Sequence, residues 1–158
     1  MDRARSLDVV GTLARIGLAA VWLVSGVLKA ADPDQTYIAV RAYDVLPDTG
    51  VEVVAALLPW VELALGLLLL AGVGTRLVAA LSAGLLLVFV VGVAQAWARG
   101  LSIDCGCFGG GGAVEPGETT YVQELVRDTG FLLMAGWLVV RPRTVLALDD
   151  RLGTRRMG

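Results

Sequence analysis

The residues able to do chemistry are few and lie close together. Cys105 and Cys107 are the chain's two cysteines, set in Asp104-Cys105-Gly106-Cys107-Phe108-Gly109, and there is no histidine. Without histidine the chain has no Ser-His-Asp or Cys-His relay, no His-ligated haem and no His-containing zinc site. A Cys-x-Cys pair offers dithiol–disulfide chemistry or a grip on a soft metal. A Cys-Gly-Cys disulfide closes a very small ring, whose geometry is forced from its optimum. Strained disulfides are the oxidising, easily reduced kind. Glycine between the cysteines is the residue best able to take up the dihedrals such a ring demands. As a structural bridge the pair is a poor choice, because so small a ring constrains little of the unfolded chain. The metal alternative is Cu(I) held by Cys105 and Cys107, with further ligands from elsewhere. Against a catalytic pair stands its local sequence. No lysine or histidine adjoins it, and Asp104 disfavours a thiolate. The N-terminus of a following helix is the compensation in view. Phe108 is a candidate contact for a docking protein or a quinone ring. Which cysteine attacks is not legible.

The second set comprises charges inside apolar stretches: Arg15, Glu62, Arg127 and Asp128. A charge in lipid costs about 2.5–3.5 kcal/mol even on the insertion scale, so each is expected to face inward and have a partner. Glu62 is expected to pair with Arg127 or Arg15. The outcome is either an ion pair that fixes helix register, or a polar site beneath the dithiol. Such a site binds a quinone headgroup or relays the two protons that dithiol oxidation releases. Glu124 and Asp128 share a helical face at i, i+4. Trp22 and Trp60 lie deep in their stretches and serve packing or an aromatic pocket, with Trp60 a possible ring contact. Trp97 and Trp137 suit the interfacial belt.

These residues must be positioned by elements that live in lipid. The chain has 158 residues, 56% of them hydrophobic, against about 45–50% for soluble domains. The formal charge of −2, with no basic run interleaved with aromatics, argues against nucleic-acid binding. Four apolar stretches can each span a bilayer: Val9–Ala30, Val51–Val73, Thr75–Ala98 and Tyr121–Val140. Asp32-Pro33 closes the first. Gly72-Val73-Gly74 turns the second into the third. Thr120 with Gln123 is a capping-box pattern that starts the fourth at Tyr121, and Pro142 ends it. A rival reading makes the first stretch a cleavable signal, with Arg3, Arg5 and Arg15 ahead of an apolar run and Ala30-Ala31. Lys29 at that point and the even helix count favour a retained helix.

Arginine placement orients the chain. With the N-terminus inside, Arg3, Arg5, Arg76, Arg141, Arg143, Arg151, Arg155 and Arg156 are cytoplasmic, while most carboxylates lie outside. Both termini are therefore expected in the cytoplasm of a plasma (inner) membrane protein. The dithiol loop then lies on the extracytoplasmic side, which permits disulfides. Tyr37, Ile38, Val40, Ala42, Tyr43 and Leu46 are spaced for a short amphipathic interfacial helix ended by Pro47. In loop 99–119, Gly109 to Gly112 give flexibility or allow close backbone approach. The stripe Ala80, Gly84, Gly92 and Ala96 suits helix packing in lipid. The expected architecture is an all-α, integral-membrane four-helix bundle. It forms one domain over residues 1–145, followed by a cytoplasmic basic tail over 146–158.

Four ordered segments resemble one family. They are Arg15-Ile16-Gly17 with Ser25-Gly26-Val27-Leu28-Lys29; Tyr37-Ile38-Ala39-Val40 with Tyr43-Asp44-Val45-Leu46-Pro47; Pro59-Trp60-Val61-Glu62-Leu63-Ala64-Leu65-Gly66; and Cys105-Gly106-Cys107-Phe108-Gly109 with Arg127-Asp128. Over about residues 10–140 the chain is similar to the MauE/DoxX-like family of redox-associated membrane proteins. The resemblance implies a four-helix bundle working with thioredoxin-like proteins. MauE proper is associated with disulfide formation in methylamine dehydrogenase maturation, and DoxX-like proteins with quinone-coupled sulfur chemistry or oxidative-stress complexes. It carries redox function to Cys105 and Cys107 and a supporting polar role to Glu62 and Arg127. Four-helix disulfide-generating membrane enzymes commonly use two cysteine pairs. With one pair here, electrons pass directly from a thioredoxin-like partner's cysteines to a membrane quinone, or another subunit supplies the second pair. No covalently bound cofactor is expected; a membrane complex or homo-oligomer is. Two competing readings are copper handling and a non-catalytic scaffold for a redox enzyme.

Overall fold

A computed structural model describes residues 3–115, 117–145 and 147–148. Its helices are α1 (Arg3–Ala31), α2 (Pro33–Ala42), α3 (Asp48–Ala71), α4 (Thr75–Ala98) and α5 (Tyr121–Val140). Strands β1 (Ile103–Asp104) and β2 (Gly112–Ala113) pair antiparallel, with Ile103 opposite Ala113. The basic tail falls outside the described residues except for Ala147 and Leu148.

Three helices, α1 from Arg5, α3 and α4, are long and apolar enough to cross a bilayer. At 24 residues and ~1.5 Å per residue, α3 and α4 each exceed the ~30 Å hydrocarbon core. Helix α5 has the expected bounds but carries Glu124, Arg127 and Asp128 in its first half. Its buried face includes Tyr121, Glu124 and Asp128 near the start and Ala135 and Leu138 near the end. Glu124 and Asp128 in the polar half of α5 thus face protein.

Sequence and structure differ at several boundaries. α1 and α3 begin earlier than the apolar runs, because polar residues extend a helix beyond its lipid-soluble part. Pro47 does not end α2. The chain leaves α2 at Ala42, turns at Asp44 with φ +51, and Pro47 instead caps the start of α3. Arg99 holds that turn through the Tyr43 and Asp44 carbonyls and the Asp44 carboxylate. Thr120 does precede α5, but no capping box forms: its hydroxyl donates to Glu124 Oε1 rather than accepting from the backbone. Among the small-residue stripe of α4, Ala96 is buried whereas Ala80 and Gly84 face outward. The buried face of α4 runs instead through Val78, Ala79, Ser82, Leu86 and Val93.

α1 packs along α3 and α4 along α5, with lesser contacts of α1 on α5 and α3 on α4. The main core includes Leu18, Trp22, Leu65, Leu69, Leu86 and Leu138. The α1–α3 crossing is tight for a specific reason. A Cβ on Gly26 would sit 3.0 Å from Leu63 N and Pro59 O, and one on Gly66 would sit 3.0 Å from Leu23 N. Two glycines thus let backbone meet backbone, as helices in lipid do. Outward faces are apolar: Leu13, Leu57, Leu77, Val126 and Leu133 are all more than half exposed. Such a continuous apolar exterior is stable only in lipid, and the protein is a multi-pass membrane protein.

The connections α1–α2–α3 and α4–α5 lie at one end, where α2 packs against β2. The Gly72-Val73-Gly74 turn lies at the other. There the segment after α5 returns to α1, with the Val145 N–H donating to Thr12 Oγ1 at 2.8 Å.

Candidate functional site

The glycines of the α4–α5 loop serve close approach. Gly106 and Gly111 have φ of +66° and +98°, a region open to glycine and costly for other residues. A Cβ on Gly111 would lie 2.7 Å from both Gly106 Cα and Ala39 Cβ. The loop is therefore doubled on itself and pressed against α2. Gln35 Nε2 donates to the Gly111 carbonyl at 2.7 Å, and the Ile103 N–H donates to Tyr121 Oη at 3.1 Å. These bonds anchor the loop to α2 and α5, and the cysteines sit at its fold.

Both cysteines are free thiols, each half-buried. The Cys107 N–H points at Cys105 Sγ at 3.4 Å. Arg127 Nη2 reaches Cys105 Sγ at 3.5 Å, while its Nε donates to Asp128 Oδ1 at 2.9 Å. The guanidinium also lies over the Phe108 ring, 4.9 Å from its centre, and Phe108 meets Phe131 edge-on. Phe108 thus braces Arg127, a role its sequence position did not suggest. The Cys105 N–H donates to Glu124 Oε1 at 3.3 Å.

The two thiols are unequal. The Cys107 thiol hydrogen-bonds Cys105 and holds its pKa below the ordinary thiol value against the penalty of burial; Arg127 adds to the lowering. For Cys107 that same hydrogen bond, then burial, pushes the pKa up. Cys105 is accordingly the more acidic thiol of the pair, and the thiolate is the reactive form in exchange. Of the groups that the fold brings to Cys105, the Cys107 thiol and then Arg127 favour its thiolate, while Glu124 opposes it.

Beneath the pair lies a buried ion pair that the sequence did not disclose. Lys29 Nζ is 2.9 Å and 3.1 Å from the two Glu62 oxygens. It also bonds Ser25 Oγ and donates to the Cys107 carbonyl at 3.1 Å. Ser25 Oγ lies 2.6 Å from that same carbonyl and 2.9 Å from Glu62 Oε2. The partner of Glu62 is therefore Lys29, neither Arg127 nor Arg15. Ser25 and Lys29 stand at i, i+4 on one face of α1, and the Gly26 and Gly66 crossing brings Glu62 to them. That spacing was visible in the sequence; which stretch it would face was not.

Arg15 lies at the opposite end. Its guanidinium donates to the Leu69 and Leu70 carbonyls at 2.8 and 3.2 Å and to Val145 O at 3.4 Å. It thus closes the C-terminus of α3 and takes no part in the site. Trp60 is also outside: it is 64% exposed on the outer face of α3. Trp22 is buried, and its indole donates to Ser82 Oγ at 3.0 Å.

Two carboxylates complete the site. Glu124 and Asp128 are buried, and each has one oxygen, Oε2 and Oδ2, without a hydrogen-bond partner. Asp104, Cys105 and Glu124 bring possible ligand atoms within 4.8 Å of one another. Two carboxylates with one thiolate are a hard set, unlike the soft set that Cu(I) selects. Met134, a further sulfur, packs against Gly17 well down α1.

A cavity of roughly 160 Å³ adjoins the dithiol. Its walls come from α2 and the turn after it, from Val54 and Leu58 of α3, and from Val88, Phe89 and Gly92 of α4. Lys29, Thr36, Tyr43 and both cysteines are its polar members. Tyr43 Oη donates to the Cys105 carbonyl at 3.3 Å. Burial, with the two thiols as lesser terms, holds the Tyr43 pKa far above its ordinary value, so the phenol stays a donor.

A family described as methylamine utilisation protein MauE matches residues 7–141. The methylamine utilization protein MauE of Paracoccus denitrificans is 39% identical over 98 residues, 61% of this chain and 53% of that protein. The chain spans about half the length of that relative. No solved structure matches the chain.

Proposed function

The chain belongs to the MauE family of membrane proteins, and from that premise we propose that it is a membrane thiol–disulfide electron-transfer protein. Cys105 and Cys107 take two electrons from the dithiol of a thioredoxin-like partner on the extracytoplasmic side and pass them to a quinone. The observation that carries this reading is the unequal thiol pair: Cys105 bonded by Arg127 and the more acidic, Cys107 the less acidic. In a pair so divided Cys105 is the better leaving group when the disulfide is attacked. The name of the Paracoccus relative places that protein in methylamine utilisation, and a substrate of that system is the first to test.

The steps balance. In the first, a partner thiolate attacks the Cys105–Cys107 disulfide. The partner's second thiol then releases a disulfide-bonded partner and the reduced pair. In the second, the sulfur–sulfur bond reforms as two electrons and two protons pass to the quinone, giving quinol. Glu124 and Asp128, each with a buried oxygen open to a proton, stand beside the pair as relays. Lys29, fixed by Glu62 and Ser25, holds the Cys107 carbonyl and so the loop.

In this reading α1, α3, α4 and α5 form a four-helix bundle across the inner membrane. Both termini are cytoplasmic, and the dithiol loop lies outside under α2. The arginine distribution supports that orientation.

The test is a redox titration of the pair in native membranes by alkylation mass shift against a glutathione series, with and without added quinone. A reversible two-electron transition that quinone drives to the disulfide is expected. A pair that stays reduced throughout sinks the proposal.

A further inference from the structure

The cavity beside the dithiol has an opening, and its position is informative. α3 and α4 are joined by the tight turn at residues 72–74, yet touch each other little. They part toward the dithiol end, where the cavity lies between them. Val54 and Leu58 line it on one side and Val88 on the other; its exposed members are Val54, Val88 and, after α2, Val45 and Leu46, with Val88 64% exposed. A rim so apolar suits lipid. A cavity of ~150 Å³ with apolar walls holds one benzene ring; this one is roughly 160 Å³. Its inner end is not apolar. There the two thiols and Tyr43 face the space, which an acyl chain would leave unsatisfied.

We infer that this cleft between α3 and α4 is the binding site of a lipid-soluble quinone. The quinone enters sideways with its ring against Cys105 and Cys107, its tail in lipid, and one carbonyl accepting from Tyr43 Oη. The inference rests on the thiol–disulfide reading and adds the acceptor's site, its route and a positioning residue. Tyr43 is suited to the task because its present bond to the Cys105 carbonyl is long, at 3.3 Å, and readily exchanged for a better acceptor. Reduced pair plus quinone gives disulfide plus quinol. Two S–H bonds are lost, one S–S bond forms, and the carbonyl oxygens gain two protons.

The experiment uses the full chain in lipid nanodiscs, reduced, then mixed with decyl-tailed benzoquinone while quinone absorbance is followed. Leu58→Trp fills the mouth and is expected to raise the quinone concentration for half-maximal rate by ~10-fold or more. Tyr43→Phe removes one neutral hydrogen bond, ~0.5–1.5 kcal/mol, and is expected to raise it ~3–10-fold. Val126→Trp, on the exposed face of α5, serves as the bulk control and leaves it unchanged. Each protein is also equilibrated with glutathione, which reads the pair without quinone. Variants whose pair still equilibrates with glutathione, yet react with quinone as the unaltered chain does, overturn the cleft. A pair that exchanges with glutathione but never reduces quinone also overturns the cleft while leaving thiol exchange standing. A pair that never forms a disulfide overturns the underlying reading instead.

Discussion

Helix α1 carries two buried cations, Arg15 and Lys29, on one face about four turns apart, and the protein uses them differently. Arg15 bonds backbone carbonyls at the end of α3. The Leu69 carbonyl also accepts from the Gly72 N–H at 3.1 Å, so the guanidinium adds to the capping of α3 while tying α1 to it. Lys29 has a carboxylate partner, Glu62, and its remaining capacity goes to the carbonyl of a cysteine. The lesson is that burial of a charge does not itself mark function. At the Arg15 end the acceptors described are backbone carbonyls remote from the dithiol. At the Lys29 end one acceptor belongs to a cysteine of the pair proposed to react.

The largest expected effect belongs to the dithiol end. Cys105→Ser or Cys107→Ser abolishes the glutathione-dependent mass shift and quinone reduction, a loss no change near Arg15 can reproduce. Electron transfer retained in either variant, measured in nanodiscs, breaks the comparison at its root.

Next is the ion pair. Glu62→Leu leaves Lys29 buried and uncompensated, at a cost of ~3–5 kcal/mol. The double change Lys29→Met with Glu62→Leu recovers much of that stability. It is still expected to shift the glutathione midpoint, because the Cys107 carbonyl has lost its anchor. Apparent Tm in detergent and the midpoint are read together; a double variant with an unmoved midpoint makes the pair purely structural.

Arg15→Met is expected to cost ~1–3 kcal/mol, through the loss of charge-assisted hydrogen bonds that tie α1 to the end of α3. Its pair should titrate with glutathione as before. A midpoint that moves with Arg15 as far as with Lys29 erases the distinction between the ends.

The smallest effect on stability is predicted for Arg127→Gln, because Arg127 is about one-third exposed and glutamine keeps a donor for buried Asp128. Its signature lies elsewhere. Arg127 favours the Cys105 thiolate, so removing it raises the pKa, and the pH of half-maximal alkylation of Cys105 moves up. A profile that stays put, or moves down, removes Arg127 from the site.

Much of the fold was legible because hydrophobicity and turn chemistry are local. Helix bounds at Thr75–Ala98 and Tyr121–Val140 follow from the apolar runs, from the glycines at 72 and 74, and from Pro142. The end of α2 was not legible, since Asp44 turns the chain only with Arg99 supplying the bonds from α4. The cysteines were legible as a candidate dithiol by type and spacing. Lys29 was not, because it ends the first apolar stretch and looks like a flanking charge. Its burial depends on α2 and the cysteine loop folding over it.

The sequence by itself determined a lipid-embedded helical chain with one dithiol and no histidine, because composition and spacing suffice for both. Only the tertiary structure decided that Glu62 meets Lys29, that Arg127 serves Cys105, and that the two thiols differ. The physical reason is range. Hydrophobic periodicity is encoded within a few residues, whereas each of these pairings joins side chains 22 or more positions apart in the chain. They meet through close contacts, such as Gly26 and Gly66 at the α1–α3 crossing, whose partners no local pattern names.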